Sequence, residues 1–103
     1  MLTLSSRPRV ADIRLSRRAL EDLRHIDRYL RERNPKTARD LAASFQKSFS
    51  LLADFPELGR ADDYGLGRVY VVPRYKYLVF YRLRGDEVHV LYILHPRQDR
   101  RDP

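Results

Sequence analysis

The chain contains no cysteine, so disulfide bonds, thiol chemistry and thiolate metal sites are all excluded. No apolar run approaches the roughly 20 residues that a membrane-spanning helix needs. The first residues, Met1–Pro8, lack the long apolar segment of a secretory signal. A glycine-rich phosphate loop is also missing, because Gly65 and Gly67 lack the lysine and the helix that such loops need. These absences predict a cytoplasmic protein with no cofactor and no membrane association.

Histidine and serine are present but do not form the pattern of a known site. His89 and His95 lie six residues apart on one predicted strand, which is about 20 Å at the rise of a strand and too far for one metal ion. Ser44, Ser48 and Ser50 fall on a predicted helix with no histidine nearby, so nucleophilic catalysis has no support. We therefore expect no metal site.

Acidic residues are comparatively few, with 14 against 21 basic ones and a formal net charge of +7. Only three of the basic residues are lysine, and arginine favours bidentate contacts to carboxylate and phosphate. Residues 1–33 and 68–103 each carry a net charge of +4, whereas residues 34–67 carry −1. The charge predicts an acidic partner, either nucleic acid or an acidic polypeptide. A solvated surface rich in arginine explains it equally well.

The first half of the chain predicts one strand and two helices. Alternation over Val10–Leu15 indicates a strand, and Ser16 is suited to cap the helix that follows. Asn34 and Pro35 end this helix and begin a second one, which runs to about Phe55. Apolar residues at three- and four-residue steps give both helices an apolar stripe: Ala19, Leu20, Leu23, Ile26, Leu30, Ala38, Leu41, Ala42, Phe45, Phe49 and Leu52.

The second half predicts three strands. A loop of roughly a dozen residues leads to a strand at Arg68–Val72. Tyr75–Arg84 and Glu87–His95 then form a hairpin around the two-residue turn Gly85-Asp86. The last strand is apolar almost throughout, which indicates an interior position in the sheet.

The order β-α-α-β-β-β predicts a single α+β domain over residues 1–103. We expect a helix hairpin packed on one face of a small, mainly antiparallel, four-stranded sheet. Residues 1–8 and 97–103 are expected to be flexible.

Both faces of the predicted hairpin are apolar if its strands pair in register from the turn. The first face collects Leu78, Phe80, Leu91 and Ile93, edged by Lys76, Arg82, His89 and His95. The second face collects Tyr77, Val79, Tyr81, Leu83, Val88, Val90, Tyr92 and Leu94. The aliphatic centre of the first face predicts contact with the helices, and the three tyrosines of the second predict a binding surface. A sheet buried on both faces remains the alternative.

Three phrases of the sequence resemble a known family. They are Arg14-Leu-Ser-x-x-Ala-x-x-Asp-Leu23, then Phe55-Pro-x-Leu-Gly-Arg60, then Tyr77-Leu-Val-Phe-Tyr81 followed by Val88-x-Val-Leu-Tyr-Ile-Leu-His95. In this order they are similar to the opening strand and helix, the exit of the second helix and the closing hairpin of the ParE/RelE toxin superfamily. This superfamily supplies the toxins of bacterial type II toxin–antitoxin systems. The resemblance runs over residues 10 to about 99.

The resemblance implies a growth-arresting toxin, of the kind that serves in plasmid stabilisation. The RelE-like branch cuts messenger RNA on the ribosome, and the ParE-like branch is associated with poisoning DNA gyrase. The ending Leu94-His-Pro-Arg-Gln-Asp99 resembles the ParE-like closing motif. Tyr77 stands near where the RelE-like catalytic arginine would align, and no tyrosine follows Tyr92. The resemblance therefore implies a gyrase-inhibiting toxin without a catalytic residue, with a RelE-like ribosome-dependent endoribonuclease as the alternative.

The same resemblance implies the partners, and the basic residues and the predicted sheet indicate where they would bind. Arg74, His95 and Arg97 are expected to bind the target, and together with Lys76 they would be the catalytic residues of a nuclease. A cognate antitoxin would lay an acidic C-terminal segment over the tyrosine-rich face and form a hetero-oligomer with the toxin. The expected antitoxin contacts are Tyr77, Val79, Tyr81, Val90 and Tyr92. Direct binding of nucleic acid by the chain alone is not expected.

Overall fold

A computed structural model describes residues 10–62, 65 and 67–98 of the chain. Its elements are β1 (Asp12–Leu15), α1 (Arg17–Arg33), α2 (Pro35–Asp54), β2 (Arg60–Ala61), β3 (Arg68–Val71), β4 (Leu78–Arg84), β5 (Glu87–Leu94) and a closing 3₁₀ turn (Pro96–Gln98). The predicted flexibility of residues 1–8 and 99–103 falls outside the described residues. In the part of the chain that the structure describes, no helix is long and apolar enough to cross a membrane.

The sheet has five strands in the order β1-β5-β4-β3-β2. β1 runs parallel to β5, and the other neighbouring pairs are antiparallel. The predicted α+β class, the mainly antiparallel sheet and the interior position of the last strand are confirmed. The fifth strand is β2, a two-residue pairing within the segment predicted as a loop, so the strand count of four was too low.

The start of α1 also completes the hydrogen bonding of β5. Ser16 caps the helix, because its Oγ accepts the Ala19 N–H at 2.9 Å. The same hydroxyl donates to the Leu91 carbonyl at 2.6 Å. Further along the helix, an Asp22 carboxylate oxygen accepts the Ile93 N–H at 2.9 Å. Beyond the end of β1, side chains of α1 therefore take the place of a neighbouring strand.

The two helices meet at Asn34, as the sequence predicts. Its side-chain oxygen accepts the Thr37 N–H at 3.2 Å and caps α2, while its own N–H closes α1 on the Leu30 carbonyl at 2.6 Å. Pro35 occupies the first position of α2, where its missing N–H leaves no helical bond unmade. One residue thus ends one helix and begins the next.

The β4–β5 hairpin contains a β-bulge that changes the predicted register. Pairing follows the prediction from the turn to the Tyr81–Val90 pair, and Phe80 then pairs with Tyr92. Leu91 is the extra residue. Because neighbouring residues of a strand point to opposite faces, the bulge exchanges the two faces of β5 beyond this point. The prediction of a hairpin in register throughout is wrong there.

The helices cover the face of the sheet that was predicted to bind a partner. The main core contains the buried residues Ala11, Ala19, Leu41, Phe45, Leu52, Val72, Val79, Tyr81, Val88, Val90 and Ile93. A smaller cluster on the other face contains Val69, Leu78 and Phe80, with Tyr92 and Leu94 packed against it. The assignment of the aliphatic face to the helices is therefore wrong. The number of tyrosines did not decide which face is buried, because a tyrosine can be buried when its hydroxyl has partners.

Tyr81 has such partners in the segment that follows α2. Its hydroxyl accepts the Gly59 N–H at 2.8 Å and donates to the Pro56 carbonyl at 2.8 Å. Arg68 donates to the Gly59 carbonyl at 2.6 Å and holds the segment from the other side. A Cβ on residue 59 would lie 2.7 Å from the Tyr81 hydroxyl and 2.8 Å from the Val69 carbonyl, so only glycine fits. The phrase Phe55-Pro-x-Leu-Gly-Arg60 thus fastens the exit of α2 to the sheet.

We expect Tyr81→Phe to lower the free energy of unfolding by about 1–3 kcal/mol, because it leaves the Gly59 N–H and the Pro56 carbonyl without their partner. Denaturant unfolding measures the change. Tyr70→Phe on β3 is the matched control, because Tyr70 packs on the same core but is only half-buried. The control is expected to change the free energy by less than about 0.5 kcal/mol. Equal unfolding midpoints for wild type and Tyr81→Phe would contradict the role of the hydroxyl.

Candidate partner-binding surfaces

The five residues predicted to bind an antitoxin do not share one accessible surface. Val79, Tyr81 and Val90 are each 0 % exposed beneath the helices. They cannot contact a partner without unfolding, so their placement on an accessible face is wrong. Tyr77 is half-buried on the helix side of the sheet, and Tyr92 is half-buried on the other side. For Tyr77 and Tyr92, contact with an antitoxin stays a prediction.

An apolar groove of about 290 Å³ runs along the helix hairpin. It is lined by Leu23, Ile26, Asp27, Leu30, Ala38, Leu41, Ala42, Phe45, Gln46 and Phe49. Ala38 and Ala42 lie one turn apart on α2, and their small side chains leave the depression. An apolar stripe on a helix usually faces the core, yet Ala42 is exposed. The presence of two alanines at this spacing was the signal in the sequence that could have indicated the groove.

A chain of aromatic contacts leads from the groove to the end of β5. The ring centroids of Phe49 and Phe45 lie 6.0 Å apart, and those of Phe45 and Tyr77 lie 5.7 Å apart. Tyr77 in turn meets the edge of the His95 ring, with 5.2 Å between centroids. A chain of ring contacts therefore links the groove to the end of the sheet.

The structure brings the residues predicted for target binding to one end of the sheet. Arg74 and Lys76 are exposed in the turn between β3 and β4. His95 follows β5 directly, and the backbone N–H of Arg97 donates to its Nδ1 at 3.1 Å. We call Arg74, Lys76, His95 and Arg97 the basic tip. Because of the bulge, Tyr77 contacts His95, whereas pairing in register from the turn would have set Lys76 opposite His95.

The ionisation of Tyr77 bears on what the basic tip can do chemically. Burial raises the pKa of the Tyr77 hydroxyl above its usual value of 10.0, and the neighbouring Tyr29 adds to the effect. The phenol is therefore neutral at physiological pH, which is opposite to the lowered pKa that a general base needs. Among residues 10–62, 65 and 67–98, no group of three His, Asp or Glu side chains could hold a metal ion. The basic tip offers positive charge for contact with an anionic group.

The face of the sheet opposite the helices carries a stacked pair of rings. Phe80 and Tyr92 lie 4.6 Å apart with 23° between their planes. The Arg18 guanidinium, reaching over from α1, lies 4.6 Å from the centre of the Tyr92 ring. Tyr92 is therefore contacted on two sides by residues of its own chain, Phe80 and Arg18.

His89 on the same face belongs to an ion-pair cluster at the far end of β5. Its Nε2 lies 2.7 Å from Glu87, and Arg14 of β1 donates to the same carboxylate at 3.1 Å. The hydrogen bond with His89, followed by that with Arg14, lowers the pKa of Glu87. The cluster links β1 to β5, which gives His89 a structural role.

Comparison by sequence and comparison by fold both find similarity to proteins of toxin–antitoxin systems. The profile of the family described as "ParE toxin of type II toxin-antitoxin system, parDE" matches residues 13–100. Toxin RelE2 of Caulobacter vibrioides is 33 % identical over 78 residues, which cover 76 % of this chain and 86 % of that protein. A solved structure of the chromosomal ParDE TA system from P. aeruginosa has the same fold, with a TM-score of 0.72. The match covers 84 % of this chain and 96 % of that chain at 18 % identity, a level that supports the fold alone.

We expect stability to be lost at high pH as buried Tyr77 ionises. A raised pKa in the folded state means that this stability is intact below the unfolded pKa and is lost as pH rises through the folded pKa. Tyr77→Phe should therefore lose less stability than wild type between about pH 9 and pH 11, measured by denaturant unfolding. Tyr70→Phe, at a half-buried tyrosine of β3, is the control and should behave like wild type. Identical pH dependence of wild type and Tyr77→Phe would contradict the burial effect.

Proposed function

Because the chain belongs to the ParE toxin family of type II toxin–antitoxin systems, we propose that it inhibits DNA gyrase in the cytoplasm and is neutralised by a cognate antitoxin. Inhibition of gyrase stops replication and so arrests growth. The observation that carries this proposal is the chain of ring contacts that links the helical groove through Tyr77 to His95 of the basic tip. An antitoxin bound in the groove ends against the residues proposed to meet the target.

The groove fits an amphipathic antitoxin segment. Its lining is almost entirely apolar, with Asp27 and Gln46 as its polar members. Exposed basic residues lie along the same two helices: Arg24, Arg28, Arg31, Arg39 and Lys47. Apolar anchors in a groove with a cationic rim favour an acidic amphipathic partner. Tyr77 contacts Phe45 at the end of the groove, which supports its proposed role in antitoxin binding.

Gyrase as the target rests on the resemblance to the ParE-like branch. The closing phrase Leu94-His-Pro-Arg-Gln-Asp99 resembles that branch. Arg74, His95 and Arg97 are then contacts for the target.

A RelE-like endoribonuclease is the second candidate. The relative Toxin RelE2 favours it by name, and the structure places Lys76 and His95 at the same end of the sheet. In that case His95 or Lys76 would transfer protons, and Arg74 and Arg97 would stabilise negative charge on the reacting phosphate.

Induction of the chain alone in a bacterial host separates the two candidates. Pulse labelling of DNA and protein measures replication and translation separately, while messenger RNA is followed for cleavage. Under our proposal replication stops first, DNA-damage signalling rises and messenger RNA stays intact. Earlier arrest of translation with cleaved messenger RNA, relieved by His95→Ala and Arg97→Ala, would favour the nuclease.

The antitoxin site is tested by two neighbouring alanines of α2. Ala42 lines the groove, whereas Ala43 is exposed beside it and does not. We expect Ala42→Glu to weaken antitoxin binding by about tenfold or more, because it fills the groove and repels an acidic segment. Calorimetry or surface plasmon resonance measures the affinity.

Ala43→Glu introduces the same charge one residue away and should leave the affinity near that of wild type. Thermal unfolding of both variants checks that the helix is intact. Equal affinity of a folded Ala42→Glu variant and wild type would overturn the groove as the antitoxin site.

A further inference from the structure

The turn between β3 and β4 holds two side-chain-bearing residues in the left-handed region of backbone conformation. Arg74 has a φ of 71° and Lys76 a φ of 67°. This region is disfavoured for residues with a Cβ, and glycine usually occupies it. Elsewhere among the described residues the chain follows that rule, since its other positive φ values belong to Gly65 and Gly85. Two long basic side chains therefore occupy positions at which glycine would fit more easily.

The rest of the turn holds these conformations in place. The Val72 N–H donates to the Tyr77 carbonyl, and the Lys76 N–H donates to the Val72 carbonyl, both at 2.8 Å. The Tyr75 N–H donates to the Pro73 carbonyl at 2.8 Å, and the Tyr75 ring packs against the main core. Strained conformations persist where the surroundings over-determine them, and such residues cluster at functional sites.

Packing does not explain why the two residues are basic. The side chains of Arg74 and Lys76 are both exposed, and Arg74 lies 5.2 Å from the centre of the Tyr75 ring. His95 and Arg97 lie at the same end of the sheet and complete the basic tip. Positive charge and aromatic surface are thus presented together by a rigid turn.

We propose that Arg74 and Lys76 occupy these strained positions because the basic tip binds carboxylates on an acidic protein surface of the toxin's target. The proposal rests on the function proposed above and identifies the chemistry of the target contact. Tyrosine and arginine are enriched where protein interfaces bind most tightly. A rigid turn that presents them needs little ordering on binding, which favours affinity.

The size of the basic tip favours a protein surface over nucleic acid. Proteins that bind nucleic acid by charge typically neutralise about 6–10 phosphates along a groove. The basic tip contributes three cations, Arg74, Lys76 and Arg97, because Nδ1 of His95 accepts the Arg97 N–H. Two cations of the helices are paired with carboxylates. Arg31 meets Asp27 at 2.6 Å, and Lys36 meets Asp40 at 2.9 Å. The basic tip by itself is therefore a compact contact, smaller than an extended track of phosphate contacts.

The test replaces both strained residues by glycine, in the double variant Arg74→Gly/Lys76→Gly. It should unfold at a temperature at least as high as wild type, because glycine adopts the left-handed conformation without strain. Its affinity for purified gyrase should fall by about tenfold or more.

Two further variants are controls. Arg74→Lys/Lys76→Arg keeps the charge and should retain most of the affinity. The double variant Arg17→Gln/Arg84→Gln removes two exposed charges away from the tip and should bind like wild type.

Each outcome supports or contradicts the proposed role of the basic tip. Wild-type affinity in a folded glycine variant would overturn the proposal. Tight, steeply salt-dependent binding of wild type to a short DNA duplex, lost in the glycine variant, would replace the protein surface by phosphate as the contact. If wild type does not bind gyrase, the gyrase assignment fails on its own. Growth arrest by the same variants then tests the basic tip. If the glycine variant arrests growth as strongly as wild type, the basic tip has no role in the contact with the target.

Discussion

Strand β5 needs hydrogen-bonding partners along both edges, and the way it obtains them determines the rest of the fold. β4 satisfies one edge. Along the other edge β1 stops at the Leu15–Val90 pair, and from there Ser16 and Asp22 of α1 supply the donor and the acceptor. The β-bulge at Leu91 lies at the level where the strand partner gives way to the helix. The change of partner, the start of α1 and the exchange of faces in β5 are therefore one structural event.

The elements were predictable because their signals are local. Ser16 and Asn34 cap helices within three residues, and the turn at Gly85 follows from its own backbone freedom. The face that the helices cover was not predictable in this way. It depends on the bulge at Leu91 and on partners of the Tyr81 hydroxyl that lie 22 and 25 residues away. Neither leaves a periodic pattern in the sequence.

One part of the candidate site was also predictable from the sequence, and another part was not. The pairing of β4 with β3 and with β5 brings Arg74 and His95 to the same end of the sheet, so the basic tip could be foreseen. For the groove the sequence offers only the spacing of two alanines, because its size depends on how closely the helices approach around the small side chains of Ala38 and Ala42. Helical periodicity identifies which residues lie on an apolar stripe, but not how much of that stripe the sheet leaves uncovered. An apolar depression left open is a liability for a protein alone and is typical of a surface made for a partner.

The parallel pairing of β1 with β5 also determines when during synthesis the fold can form. Ser16 and Leu91 are 75 residues apart in a chain of 103, and their hydrogen bond joins the start of α1 to β5. A nascent chain that lacks its last strand has helices without the main part of the surface on which they pack. Contacts of such long range form late, because the loop between them must be closed first. The helices therefore cannot complete their packing until the β4–β5 hairpin has been synthesised, long after α1 and α2 themselves.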